Sequence, residues 1–291
     1  MLDTAAFADD ADIRLGDPEL TQIIRLVYDR SGITLHEGKR ALVEARLRKR
    51  VRALGCATFA EYLQYVESDA TGQALSALLD AIATKHTSFF REEQHFTFLE
   101  TCVLPELRAR AGSIRVWSAA CATGEEPVTL AVTLLEALPA VDHSRLRLMA
   151  SDLSSNALAV ARAGVYRLDR VATVPLPLLR KYFERGLGAQ AGLARVSARL
   201  RRVIDYRQLN LLEIGSLGEQ FDVIFCRNVL IYFDRAVQQR VVAMLERHLA
   251  PGGYLFVAHS ESLNTLNHAL RWVAPAIYQQ AGVKGRSGVG R

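Results

Sequence analysis

The sequence predicts an α/β protein: a parallel sheet covered by helices on both faces, carrying a small inserted antiparallel β-subdomain and preceded by a small all-helical domain. Three observations carry this prediction. Beyond Thr87, short apolar runs alternate with segments of helical periodicity, as βα units require. From about Leu20 to Thr84 the pattern is helical. Between Gly164 and Arg202 the alternation breaks at Pro175, Pro177, Gly186, Gly188 and Gly192, and a near-alternating stretch Ala194–Leu200 follows.

Taken in order, residues 14–84 form the helical domain. Val43, Leu47, Val51 and Leu54 recur at helical spacing and predict a buried stripe, with Gly55 as the stop. Winding the segment at about 100° per residue sets Arg48, Lys49 and Arg52 opposite that stripe and Arg46 and Arg50 on its flank. Further helices fit Thr58–Glu67 and Thr71–Ile82. In the second domain, 85–282, helices are expected at Glu92–Arg110, Pro127–Leu138, Ser155–Ala163 and Arg235–Leu249. Strands are expected at Ile114–Ala119, Leu146–Ala150, Val203–Tyr206, Phe221–Phe225 and Tyr254–Ala258, the last after a Pro251-Gly252-Gly253 turn. Residues 164–202 are the insertion, and the Gly-rich basic stretch 283–291 is a flexible tail.

The 291 residues are half hydrophobic and under a quarter charged, the balance of a globular chain. No apolar run reaches the length of a membrane span, and Met1–Asp12 is acidic, without the basic-then-apolar order of a signal peptide. A cytoplasmic location is therefore expected. The four cysteines are scattered without a CxxC pair, so they should be small buried hydrophobes in a reducing compartment. The seven histidines form no HxxxH or HxH pattern, and no metal is expected. The net charge of +5 implies an acidic partner, which could be nucleic acid, a membrane surface or an acidic protein face.

Ligands of open α/β sheets bind beyond the C-terminal strand ends, and three such ends carry suggestive residues. The first runs Trp117-Ser118-Ala119-Ala120-Cys121-Ala122-Thr123-Gly124-Glu125-Glu126-Pro127. Small residues admit a ligand close to the backbone, and Pro127 suits a first helical turn. Two carboxylates there would repel a pyrophosphate and attract an ammonium. This favours S-adenosylmethionine over a nicotinamide cofactor, unless both acids serve only the helix dipole. The second end is Ala150-Ser151-Asp152, where Asp152 can accept from ribose hydroxyls or cap the helix near Ser155. The third, Phe225-Cys226-Arg227-Asn228, opens a polar loop over the same edge.

With these stretches in view, the chain resembles the bacterial chemotaxis receptor methyltransferases, the CheR family. Besides the three strand ends, the resemblance rests on Thr87-Ser88-Phe89-Phe90-Arg91-Glu92, Asn210-Leu211-Leu212, Ile231-Tyr232-Phe233 and His259-Ser260-Glu261, all in order. It implies a Rossmann-like S-adenosylmethionine-dependent methyltransferase domain that methylates glutamate side chains of chemoreceptors and releases S-adenosylhomocysteine. It implies that Arg91 holds the cofactor carboxylate and borders the reaction centre, that Glu125 meets the ammonium and Asp152 the ribose, and that Asn210 and Leu211 contact adenine. Thr87, Arg227 and Asn228 would complete the pocket, and Tyr232 would line the substrate entrance. Two positions depart from the family pattern: Lys85 stands where asparagine is common, at a cofactor-side contact, and Val128 where tyrosine is common. The resemblance also makes Arg46, Arg48, Lys49, Arg50 and Arg52 a docking face for receptor helices, and the insertion a grip for a receptor C-terminal peptide by strand addition. Five cations against one acid, Glu44, over residues 44–52 agree with docking, although a charge run is more often a solvated face.

Transfer to a carboxylate needs no strong base, because the acceptor is already ionised. Arg91 and Tyr232 are accordingly expected to steer the substrate, with no catalytic dyad. A nucleic-acid methyltransferase is disfavoured because Cys226-Arg227-Asn228-Val229 is not an Asn/Asp-Pro-Pro-Tyr/Phe loop. A dehydrogenase ranks last, because no GxGxxG follows the first strand. A receptor-docking module that binds the cofactor without transfer is kept open by Lys85. A monomer is the default.

Overall fold

The computed structural model describes residues 13–282. The expectations for Met1–Asp12 and for the 283–291 tail lie outside them. The chain forms two compact units that divide between Thr84 and Lys85.

The first unit contains α1 (Asp17–Ser31), α2 (Arg40–Ala53), α3 (Phe59–Ser68) and α4 (Gln73–Ile82). Gly32 at φ 71° ends α1, and Thr58 caps α3 by accepting the Glu61 N–H at 3.1 Å. The core takes Leu20, Ile23 and Val27 from α1, Val43, Leu47 and Val51 from α2, Tyr62 and Leu63 from α3, and Leu78 from α4. Leu54 departs from its expected stripe and is 42% exposed. Leu54 caps the end of α2, its N–H still bonded to the Arg50 carbonyl at 3.1 Å, and the chain turns away at once through Gly55 at φ 71°.

The second unit opens with α5 (Gln94–Phe98) and α6 (Leu104–Arg108), joined through a π-helical stretch Leu99–Val103. One uninterrupted helix was expected here. Pro105 has no N–H to give, and the ladder widens just ahead of it. Then follow β1 (Ile114–Ser118), α7 (Glu125–Ala137), β2 (Leu146–Asp152), α8 (Ser155–Ala163), β3 (Val165–Arg167), α9 (Leu176–Tyr182), β4 (Phe183–Arg185), β5 (Leu193–Val196), α10 (Ala198–Arg201), β6 (Ile204–Gln208), β7 (Phe221–Phe225), α11 (Arg235–His248), β8 (Leu249–Phe256), β9 (Arg271–Ala274) and β10 (Ile277–Gln279).

The main sheet runs β6-β2-β1-β7-β8-β10-β9. Its first five strands are parallel, and β10 and β9 close it as antiparallel additions. The order reverses at β1, between β2 and β7, which creates the crevice where ligands of this fold sit. As expected, residues 164–202 hold a separate antiparallel sheet, β3-β5-β4. The Pro251-Gly252-Gly253 segment bulges within β8 instead of preceding the strand, and the ladder to β7 shifts register across it. All four cysteines are free. Cys121 and Cys226 are buried as expected, whereas Cys56 is half-buried and Cys102 exposed. Among the described residues, no helix is long and apolar enough to cross a membrane.

Candidate active site at the C-terminal edge of the sheet

The loop from β1 to α7 is shaped by a close approach. Gly124 begins the helix at φ 98°, and a Cβ there would lie 2.7 Å from the Ala161 Cβ on α8. Tyr166 of the insertion donates to the Thr123 carbonyl at 2.8 Å and fixes the loop from above. The two glutamates that follow are both matched to arginines. Glu125 is 1% exposed, pairs with Arg170 from the turn after β3, and accepts from the Thr123 hydroxyl at 2.6 Å. Glu126 accepts from Ser118 Oγ at 2.7 Å and lies 3.2 Å from the Arg227 guanidinium. Burial pushes the Glu126 carboxyl up, and the Arg227 charge offsets only part of that rise.

Arg227, at the end of β7, organises this edge. Its side chain is buried, lies 3.0 Å from Glu92, and donates to the Arg91 carbonyl at 2.5 Å. It also sits over the rings of Phe96 and Phe225, 5.6 and 5.8 Å from their centroids. Burial alone would raise the Glu92 carboxyl, but Arg227 reverses this and the net shift is downward. Arg91 itself is half-buried and donates to the His86 carbonyl at 3.2 Å. The salt bridge to Glu92 that its neighbour could have offered goes to Arg227 instead.

Backbone strain concentrates here. Among the described residues, the non-glycine positions with positive φ are Phe90, Glu92, Ala122, Asn228 and Ala276. Two of them flank Arg91, one lies in the first loop, and one follows Arg227. Left-handed conformations at such residues persist only where surrounding bonds hold them. For Ala122 the holder is Asp152, whose Oδ2 accepts the Ala122 N–H at 2.8 Å while Oδ1 accepts the Ser154 N–H at 2.8 Å. The cap of α8 is Ser154, through the Ala157 N–H at 3.0 Å, so Asp152 is not that cap. The backbone carbonyl of Asp152 takes the Leu209 N–H at 3.1 Å, which draws the loop after β6 to the same edge. There the Asn210 side chain accepts the Leu212 N–H at 3.1 Å, and Leu211 is buried.

For Asn228 the holder is Glu261. This buried carboxylate accepts N–H groups from Asn228 at 3.0 Å, Leu230 at 2.8 Å, Ile231 at 3.4 Å and Ala258 at 2.8 Å. Burial raises its pKa overall, although those four amides pull the other way. The loop thus anchored presents Tyr232 half-buried rather than as a core aromatic, next to Ile231, which is 51% exposed. Lys85 and Thr87 are half-buried, and the Thr87 carbonyl accepts from Arg170 at 2.8 Å.

Residues 18–83 match the CheR methyltransferase all-alpha domain, and residues 85–278 match the CheR methyltransferase SAM-binding domain. The chain belongs to the CheR methyltransferase family. It is 40% identical to chemotaxis protein methyltransferase 2 of Pseudomonas aeruginosa over 264 residues, 90% of this chain and 93% of the relative. It is 40% identical to the chemotaxis protein methyltransferase of Salmonella typhimurium over 87% of each chain. To the Escherichia coli protein it is 38% identical, over 91% of this chain and 92% of that one. The fold class and the cofactor, S-adenosylmethionine, are those of this CheR family.

The structure gathers Arg91, Glu125, Asp152 and Arg227 around the first loop and the Arg227 pairs, with Thr87 tied in through Arg170, and Leu209, the neighbour of Asn210, bonded to the Asp152 carbonyl. Sequence reasoning missed Arg170, whose partners are remote in sequence, and it quoted Glu261 within a resembling stretch without giving it a role. In the CheR all-alpha unit the five predicted cations are not equivalent. Arg46 donates to the Ile82 carbonyl at the end of α4, and Arg48 pairs with Glu44. Lys49 and Arg52 are exposed, and with Arg48, Ala45 and Ala53 they line one surface recess. Arg50 is half-buried.

Proposed function

We propose that this chain transfers a methyl group from S-adenosylmethionine to glutamate carboxylates on the cytoplasmic helices of chemoreceptors, giving methyl esters and S-adenosylhomocysteine. The observation that carries the reading is the family match over both units, with relatives that are named chemotaxis protein methyltransferases.

The residues at the strand ends fit this cofactor. Asp152 is assigned to the ribose hydroxyls, from which its carboxylate can accept. The Ala122–Gly124 backbone is assigned to close contact with the cofactor, and Asn210 and Leu211 to its purine. When bound, the cofactor supplies an electrophilic methyl on a positively charged sulfur. Arg91, Lys85 and Thr87 are assigned to its carboxylate side and Glu125 to its ammonium side, with Arg170 sharing the Glu125 charge. Asn228 closes the pocket, while Arg227 contributes from behind, as the buried cation that sets the Arg91 loop.

The chain's own residues then align and dehydrate. The incoming glutamate is ionised at neutral pH, so no proton has to be removed. Arg91 and Tyr232 orient that carboxylate, and alignment supplies most of the acceleration. Lys49 and Arg52, flanked by Arg46, Arg48 and Arg50, form the docking face for the acidic receptor helix. The β3-β5-β4 sheet is assigned to a receptor tail peptide. The protein acts as a cytoplasmic monomer. Radiolabel transfer from S-adenosylmethionine to receptor-containing membranes tests the reading. Base-labile label on the receptor is expected, and cofactor binding without label would leave a docking module only.

A further inference from the structure

The seven histidines show no HxxxH or HxH spacing, yet the fold brings two of them together with an acid. Glu92, His95 and His259 each bring a ligand atom within 4.8 Å of the others. His95 lies on α5 and His259 just beyond β8, with their ring centroids 4.7 Å apart. His95 is 1% exposed, and its ring reaches only the Pro275 carbonyl and Glu92, in contacts that fall short of a full hydrogen bond. A buried polar group ordinarily finds a partner. His95 Nδ1 lies 3.4 Å from Glu92 Oε2. Two ligands bound tetrahedrally at the usual zinc distances of about 2.0–2.1 Å stand about 3.4 Å apart. His259 is exposed and borders a surface recess with Gln94, Glu261, Trp272 and Tyr278, so one of the three groups faces solvent.

We propose that Glu92, His95 and His259 form a binding site for a divalent transition ion of the zinc type, held by two imidazoles and one carboxylate with water completing the shell. Two nitrogen donors exclude magnesium and calcium, which take oxygen ligands. His259 has the solvent-exposed freedom to close the remaining distance.

The site has a consequence for its neighbours. Glu92 Oε2 is also the atom paired with Arg227. An ion bound there competes with the guanidinium, which in turn holds the Arg91 carbonyl. Zinc occupancy therefore loosens the segment that carries Arg91 and opposes whatever that residue does.

The test uses the full chain carrying Cys102→Ser, which removes an exposed thiol that would take zinc by itself. Zinc is titrated against a chromogenic chelator, and cobalt is followed by its visible absorption. Neither measurement needs cofactor or receptor, so the outcome stands apart from the methyl-transfer reading. One equivalent of zinc is expected to bind. His259→Ala, a surface change, is expected to weaken binding at least about tenfold and abolish the tetrahedral cobalt band, whereas His259→Cys restores binding with thiolate-to-cobalt absorption. His95→Gln, checked for folding by circular dichroism, should behave like His259→Ala. No binding up to about 1 mM zinc, or binding equally tight in His259→Ala and His95→Gln, overturns the proposal.

Discussion

Glu261 accepts the backbone N–H of Asn228 at 3.0 Å, and so fixes a left-handed residue immediately after Arg227. The same carboxylate serves three further amides, and both of its oxygens are used. Glu261→Gln keeps the shape but turns an NH2 group toward amide donors. A loss of about 1–3 kcal/mol is expected, together with a drop in kcat as the loop bearing Tyr232 relaxes. Thermal unfolding and receptor methylation check this, and a variant with wild-type values in both would remove Glu261 from its anchoring role.

Arg91 sits between two strained residues, Phe90 and Glu92, and makes no ion pair among the described residues. Arg91→Ala should abolish methyl transfer with little change in melting temperature. Near-normal turnover in a purified receptor assay would exclude Arg91 from the reaction centre.

Asp152 couples the first and second strand ends through Ala122 and Ser154. Asp152→Ala is expected to weaken S-adenosylmethionine binding roughly 10–100-fold, at about 1–3 kcal/mol for lost bonds to a charged acceptor. Calorimetry measures it directly. Unchanged affinity would refute the ribose assignment.

On α2, Lys49 and Arg52 are exposed, and Arg48 pairs with Glu44. Charge reversal at Lys49 and Arg52 should raise the receptor KM several-fold, and added salt should reproduce the effect. A KM insensitive to both salt and these substitutions would count against docking on this face.

Gly124→Ala forces a Cβ to within 2.7 Å of Ala161 at a backbone φ of 98°. Overpacking and left-handed strain together should cost about 1–3 kcal/mol. A chemical denaturation curve gives the value, and a cost near zero would mean that α7 and α8 can slide apart.

Much of this architecture was legible from periodicity. The β7 run Phe221–Phe225 and the α8 run Ser155–Ala163 stand where the pattern puts them, because each is a complete apolar run or stripe between clear stops. The π stretch before Pro105, the bulge in β8 and the β9-β10 edge were not. They are tertiary accommodations whose local sequence reads as ordinary helix, turn or loop. At the site, the strand-end residues were visible, but their counter-charges were not. Glu125 and Glu126 suggested an ammonium partner as though both were free, yet Arg170 and Arg227 already balance them. Those arginines come from other elements, and no spacing rule connects them. The same holds for His95 and His259, which only the sheet brings together.

The insertion touches the first loop twice, through Tyr166 on the Thr123 carbonyl and Arg170 on Glu125. These bonds make the two regions a linked pair in the thermodynamic sense. Any ligand of the β3-β5-β4 sheet that displaces Arg170 must alter the affinity of the loop for its own ligand. By reciprocity, filling the loop must alter the affinity of the sheet by the same factor. A domain decoration thus becomes a second dial on one equilibrium, readable from either end.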